Sequence, residues 1–292
     1  MTRIFTFIVG LILVIGFSNC QNQVSGNAVK PIVSIQEESS KKSKINPKGN
    51  TLSTRINVLE GFERGSNPED SFAAFLRNLP LKPDGSKVKT YDGDTKESDG
   101  IYVAVVDLPI GKRDLHQCAD AVMRLRMDYL YEQERYDEIH FNFTNGFQVD
   151  YSEWMKGKRM VVSGNKTYWK QSTSPSNTQK DFIKYKELIY SYAGTLSLSR
   201  ELKPIKLSQM QIGDVFIKGG SPGHAVIVVD MAVNSSTGEK LFLLAQSYMP
   251  AQEIQILTNP MNDNLSPWYS IKNLDFLLTP EWGFELDELM RF

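Results

Sequence analysis

The sequence predicts an α+β fold, and two segments carry that expectation. Leu115, Cys118, Val122, Leu125 and Tyr129 recur at alternating spacings of three and four, so residues 114–136 should form a helix with one apolar stripe. Further on, the branched apolar runs HAVIVVD from His224 and KLFLLAQ from Lys240 flank NSSTGE, a hairpin loop by composition. With GDVFI at 213–217 before them, they make a three-stranded antiparallel meander.

The chain has 292 residues, 41% hydrophobic and 23% charged, enough to bury a substantial core. Its 33 basic and 34 acidic side chains leave a net charge of -1, so no overall field favours nucleic acid. The start, MTRIFTFIVGLILVIGFSNC, has a basic residue and then an apolar run too short for a membrane span, which is the pattern of a secretory signal over residues 1–19. Cys20 at the expected cleavage point resembles the lipidated cysteine of bacterial lipoproteins. Asn19 departs from the usual small residue there, which leaves ordinary secretion and an uncleaved anchor as alternatives. Lipidation implies a protein held to a membrane through Cys20 in the cell envelope. The absence of an acidic run after Cys20 points to the periplasmic face of the outer membrane.

Residues 20–50 are polar and rich in Ser, Lys, Asn and Gln, and are expected to be a tether. Residues 51–292 are expected to be a single domain. SFAAFLRNLPLKP reads as a helix stopped at Pro80, and IYVAVVDLPIG at 101–111 reads as a buried strand. Asp114 with Gln117 makes a capping pair for the central helix, which puts Cys118 about one turn in. Residues 139–170 read as strands and turns, and DFIKYKELIYSYAGTLSLSREL as one further helix.

If Cys20 carries lipid, Cys118 is the only thiol left. It is then either a small buried apolar residue or a reactive group. With the hairpin loop centred near Ser236, position 224 falls opposite 248, and Gln246 becomes the diagonal neighbour of His224 on one face. A slip of one residue would substitute Ser247. A thiol early in a helix, beside an imidazole held by an amide, is the pattern of a nucleophile with its base and orienter. The helix dipole and the imidazole would lower the thiol pKa from about 8.5 towards roughly 3.5 to 7.5. The alternative for His224 is a neutral imidazole capping the strand, and for Gln246 an amide satisfying backbone groups.

His116 stands about 200° around the helix from Cys118 and should point elsewhere. His140 should lie on a strand surface. Three scattered histidines and one thiol lack metal-ligand spacing, and no cofactor is expected. Tyr248 and Gln252 beside the hairpin end, together with Trp154, are candidate substrate contacts. Trp169, Trp268 and Tyr269 either line a groove or fill the core. Nothing in the sequence points to an oligomer.

The chain order of helix cysteine, GDVFI, Gly-His-Ala opening an apolar strand and a polar residue on the next strand resembles papain-like cell-wall hydrolases of the NlpC and CHAP types. It departs from them in having Gln117-Cys118-Ala119 where those families show Asp-Cys-Ser. The resemblance implies a papain-like domain, its central helix packed on an antiparallel sheet with an additional N-terminal helix and strands. It also implies a thiol amidohydrolase or peptidase using Cys118, His224 and Gln246 on peptidoglycan stem peptides. A non-catalytic protein binding peptide or glycan on the same scaffold is the alternative. The strings HQCADAVMRLRMDYLY, YAGTLSLSREL, GDVFIKGGSPGHAVIVVD and LLAQSYMPAQ more closely resemble a bacterial envelope family, domain of unknown function 4846, which implies no activity.

Overall fold

The computed structural model describes residues 43–97 and 99–292. The signal segment, Cys20 and most of the expected tether lie outside the described residues. The fold begins before Thr51: the Asn46 amide donates to the Arg55 carbonyl at 2.7 Å and the Leu81 amide to the Asn50 carbonyl at 2.8 Å. Gly49 is buried so tightly that a Cβ there would meet the Thr54 carbonyl oxygen at 2.3 Å. Residues 43–50 therefore belong to the domain.

Six helices are present among the described residues: α1 (Leu52–Arg55), α2 (Phe72–Arg77), α3 (Cys118–Glu132), α4 (Tyr151–Met155), α5 (Gln179–Tyr192) and α6 (Thr195–Glu201). Ser71 caps α2 by accepting from the Ala74 amide at 3.1 Å. The segment expected as a single helix over 181–202 is broken at Ala193-Gly194. Gly194 is extended there and caps α6 by donating its amide to Ser197 Oγ. Short α4 falls within a stretch expected to hold strands and turns alone.

The main sheet is antiparallel. It contains β1 (Tyr102–Val105), β6 (Lys203–Pro204), β7 (Val215–Lys218), β8 (His224–Val233), β9 (Lys240–Gln246), β10 (Gln255–Leu257), β11 (Tyr269–Ser270) and β14 (Leu289–Arg291). The strand order is β1-β10-β9-β8-β7-β14-β6, with β11 also paired to β9. Three separate hairpins join β2 (His140–Asn142) to β3 (Gln148–Asp150), β4 (Lys158–Ser163) to β5 (Lys166–Gln171), and β12 (Leu277–Leu278) to β13 (Gly283–Phe284).

The expected meander is β7-β8-β9 at the centre of this sheet. β8 is buried on both faces, which explains its unbroken apolar run. Ala225, Ile227 and Val229 pack in the cluster that includes Val122 and Leu125 of α3. Val226 and Val228 face Phe216, Phe242, Leu244 and Phe284 instead. α3 is buried nearly all round, Met123 and Met127 as well as the predicted stripe, as befits a central helix. Near the bulge after Val228, the buried Asp230 carboxylate accepts from Arg77 Nε at 2.7 Å and Arg64 Nε at 2.6 Å. These arginines tie α2 and the loop before it to the sheet.

Candidate active site around Cys118 and His224

Cys118 is the first residue of α3, not one turn in. The cap forms later than the sequence suggests because Asp114 is used elsewhere: its Oδ1 accepts from the Ala251 amide at 2.7 Å and from Gln117 Nε2 at 3.0 Å. Gln117 becomes the N-cap, and its amide donates to Asp120 Oδ2 at 3.0 Å. The amides of Cys118 and Ala119 thus belong to the first helical turn, whose N–H groups have no intrahelical acceptor.

His224 is the first residue of β8, at the mouth of the turn Gly219-Gly220-Ser221-Pro222-Gly223. Thr195 Oγ1, at the start of α6, donates to the Gly220 carbonyl at 3.1 Å and holds this turn in place. Gly223 is required by close approach: a Cβ there would stand 2.5 Å from both the Gly220 carbonyl oxygen and Thr195 Oγ1.

A cavity of about 620 Å³ opens between these elements, lined by Cys118, Tyr190, Thr195, His224, Tyr248 and Trp282 among others. The thiol and the imidazole therefore share one space. His224 Nε2 lies 2.8 Å from Gln246 Oε1 on β9. The Gln246 amide nitrogen in turn donates to Glu281 Oε2 at 2.6 Å. Aromatic rings surround the imidazole: centroids of Tyr248, Trp282 and Phe284 lie 4.9, 5.5 and 5.9 Å from its own.

Ser247, the alternative partner for His224, points the other way. Its hydroxyl is buried on the carbonyls of His116 and Gln252, at 2.9 and 2.7 Å. Gln252 is buried and does not line the cavity, its Nε2 donating to the Pro250 carbonyl at 3.2 Å. Trp154 is also no cavity residue. It sits on α4 under the Arg159 guanidinium, 3.9 Å from its ring centroid, and against Tyr185. Trp268 and Tyr269 are core residues. Tyr248 alone of the three expected contacts lines the cavity.

His116 precedes α3, so its direction is set by tertiary contacts instead of helix geometry. Its Nδ1–H donates to the Gln252 carbonyl at 3.2 Å. His140 is exposed on β2.

Burial governs the electrostatics. It pushes the Cys118 thiol up to about 11, the Asp120 charge adding to the rise while backbone amides of Ala119 and Ala225 pull the other way. The lowering expected from the helix start and the imidazole is overturned, because desolvating a thiolate costs more than those dipoles return. Burial likewise holds His224 down to about 4, with the Gln246 bond opposing and Lys96 adding to the fall. At neutral pH the resting pair is thiol and neutral imidazole. Asp120, which also lines the cavity, is pushed up to about 8 by burial, against the Gln117 amide.

Lys96 and Glu281, which carry no sequence signal, complete the surroundings of Gln246. Lys96 Nζ contacts both oxygens of Glu281, at 2.7 and 2.6 Å. Glu281 lies in TPEWGF, which holds no motif, and only the folded β12–β13 turn brings it to Gln246.

The fold and site define an α+β protein whose central-helix thiol and strand-mouth histidine line one cavity. The family described as domain of unknown function 4846 matches residues 52–291, and the chain belongs to that family. No curated protein and no solved structure matches it.

Proposed function

We propose that this protein is a thiol amidohydrolase or peptidase of the cell envelope, acting on peptidoglycan stem peptides or related amides. The observation that carries the reading is the meeting of Cys118 and His224 on one cavity with Gln246 bonded behind the imidazole. The order of helix thiol, strand-mouth histidine and next-strand amide supports a papain-like arrangement.

In this mechanism His224 Nδ1 takes the Sγ proton as the sulfur attacks the amide carbonyl carbon. The carbonyl oxygen becomes an oxyanion, stabilised by the first-turn amides and dipole of α3. The C–N bond then breaks, and the amine leaves with the proton held by His224. Water, deprotonated by the same imidazole, hydrolyses the thioester, releasing the acid and restoring the thiol. Proton transfer coupled to attack suits a pair that rests neutral. Lipidation at Cys20 would hold the domain to the membrane, at the periplasmic face of the outer membrane.

A second reading is a non-catalytic binder of peptide or glycan. The observation favouring it is the thiol pushed up to about 11 beside an imidazole held near 4. Purified peptidoglycan incubated with wild type and Cys118→Ala separates the two. The hydrolase releases new amino or carboxyl termini with wild type alone. The binder releases none and retains fragments equally in both.

A further inference from the structure

We infer that Glu281, held by Lys96, is a positioning residue that fixes the tautomer of His224 through the Gln246 amide. This rests on the hydrolase reading for its consequence, but not for its geometry. Four side chains from four separate parts of the chain make the relay. Lys96 precedes β1, Glu281 tips the β12–β13 turn, Gln246 ends β9 and His224 opens β8.

The chemistry of each group leaves one arrangement. Glu281, paired with Lys96 through both oxygens, can only accept. Its partner at 2.6 Å must therefore be the NH₂ end of Gln246, which has two protons to give. Turning the amide over would set Gln246 Oε1 against a carboxylate oxygen, two acceptors with no proton between them. The orientation of an amide is ordinarily ambiguous, and here a charge decides it.

Gln246 Oε1 then faces His224 Nε2 at 2.8 Å, and an amide oxygen has no proton. The proton between them belongs to Nε2. A neutral imidazole carries one proton, so Nδ1 is left with its lone pair. That lone pair is what a base needs on a side chain that shares a cavity with Cys118. Lys96 places an opposite charge against Glu281, whose side chain is only 16% exposed. The ammonium also stands 5.2 Å from the Tyr248 ring centroid, which joins the relay to the cavity wall.

The β12–β13 turn is built to hold Glu281 in place. The Thr279 amide donates to the Trp282 carbonyl at 2.8 Å, and the Trp282 amide donates to Thr279 Oγ1 at 3.1 Å. Trp282 itself lines the cavity beside His224. The last stretch of the chain thus supplies both a wall of the site and the charge that orients its imidazole.

The test reads the imidazole, not turnover. Full-length protein carrying ¹⁵N-histidine gives ring nitrogen shifts that distinguish Nε2–H from Nδ1–H, and His224 is assigned through its own backbone. Wild type should show Nε2–H in excess by roughly tenfold, the weight of one buried hydrogen bond. Glu281→Gln, which keeps the shape but can donate as well as accept, should bring the two tautomers to within a few-fold of each other. A folded Glu281→Gln chain with the wild-type ratio would overturn the proposal. So would Nδ1–H as the major form in wild type, with no variant required. An Nε2–H imidazole in a protein whose Cys118 proves inert would refute the hydrolase reading and leave the relay standing.

Discussion

His224 and Gln246 meet at 2.8 Å across β8 and β9, through Nε2 and Oε1. The contact sits deep enough for burial to hold the imidazole down to about 4. Between pH 6.5 and 4 the unfolded chain takes up a proton at this position that the folded chain refuses. Stability contributed by neutral His224 is therefore lost as pH falls through that window. Against His224→Gln, wild type should lose about 2 kcal/mol in denaturant unfolding between pH 7 and pH 5. Parallel curves for the two proteins over that range would show an imidazole that titrates as if exposed.

Cys118 should behave as a buried thiol towards small reagents. With its pKa pushed up to about 11, iodoacetamide alkylation followed by peptide mapping should give a rate still climbing above pH 9. A plateau reached near neutrality would instead reveal a resting thiolate–imidazolium pair.

Gly223 holds the turn that presents His224. Gly223→Ala would drive a methyl group into the Gly220 carbonyl and Thr195 Oγ1, so the turn must shift. The expected cost is about 1–3 kcal/mol of stability, together with displacement of the His224 ring signals. Unchanged stability with wild-type histidine shifts would mean that the turn has room the structure does not give it.

Asp230 is fully buried between two arginines. Removing Arg77 leaves half of that pairing, and Arg77→Ala should cost about 3 kcal/mol or more. Asp230→Asn with Arg77→Ala should cost less than the sum of the two single changes, because the uncompensated charge is gone. Strict additivity would argue that the pair is not coupled.

The contact at His224 is legible in the sequence because hairpin geometry is local. A loop centred near Ser236 sets 224 opposite 248, and the observed pairs Ile227 with Ala245 and Val228 with Leu244 keep that register. The apolar stripe of α3 is legible for the same reason. The start of α3 is not, because Asp114 is spent on Ala251 across the fold. Nor are Glu281 and Lys96, which meet over 185 positions of chain with no motif at either end. The thiol's shift runs opposite to the sequence expectation because a dipole can be read from helix position, whereas desolvation depends on everything packed around it. Trp154 and Gln252 lie off the cavity on similar grounds: residue type and sequence proximity point to both, and both are buried.

On the hydrolase reading, Cys118 forms a covalent bond to an acyl group in the cavity it shares with His224. Intact-protein mass spectrometry after acid quench, on protein mixed with stem-peptide fragments, tests it directly. The account predicts a thioester adduct that maps to Cys118 in wild type and is absent in Cys118→Ala. Saturable binding of the same fragments to both proteins, with no adduct in either, would contradict it.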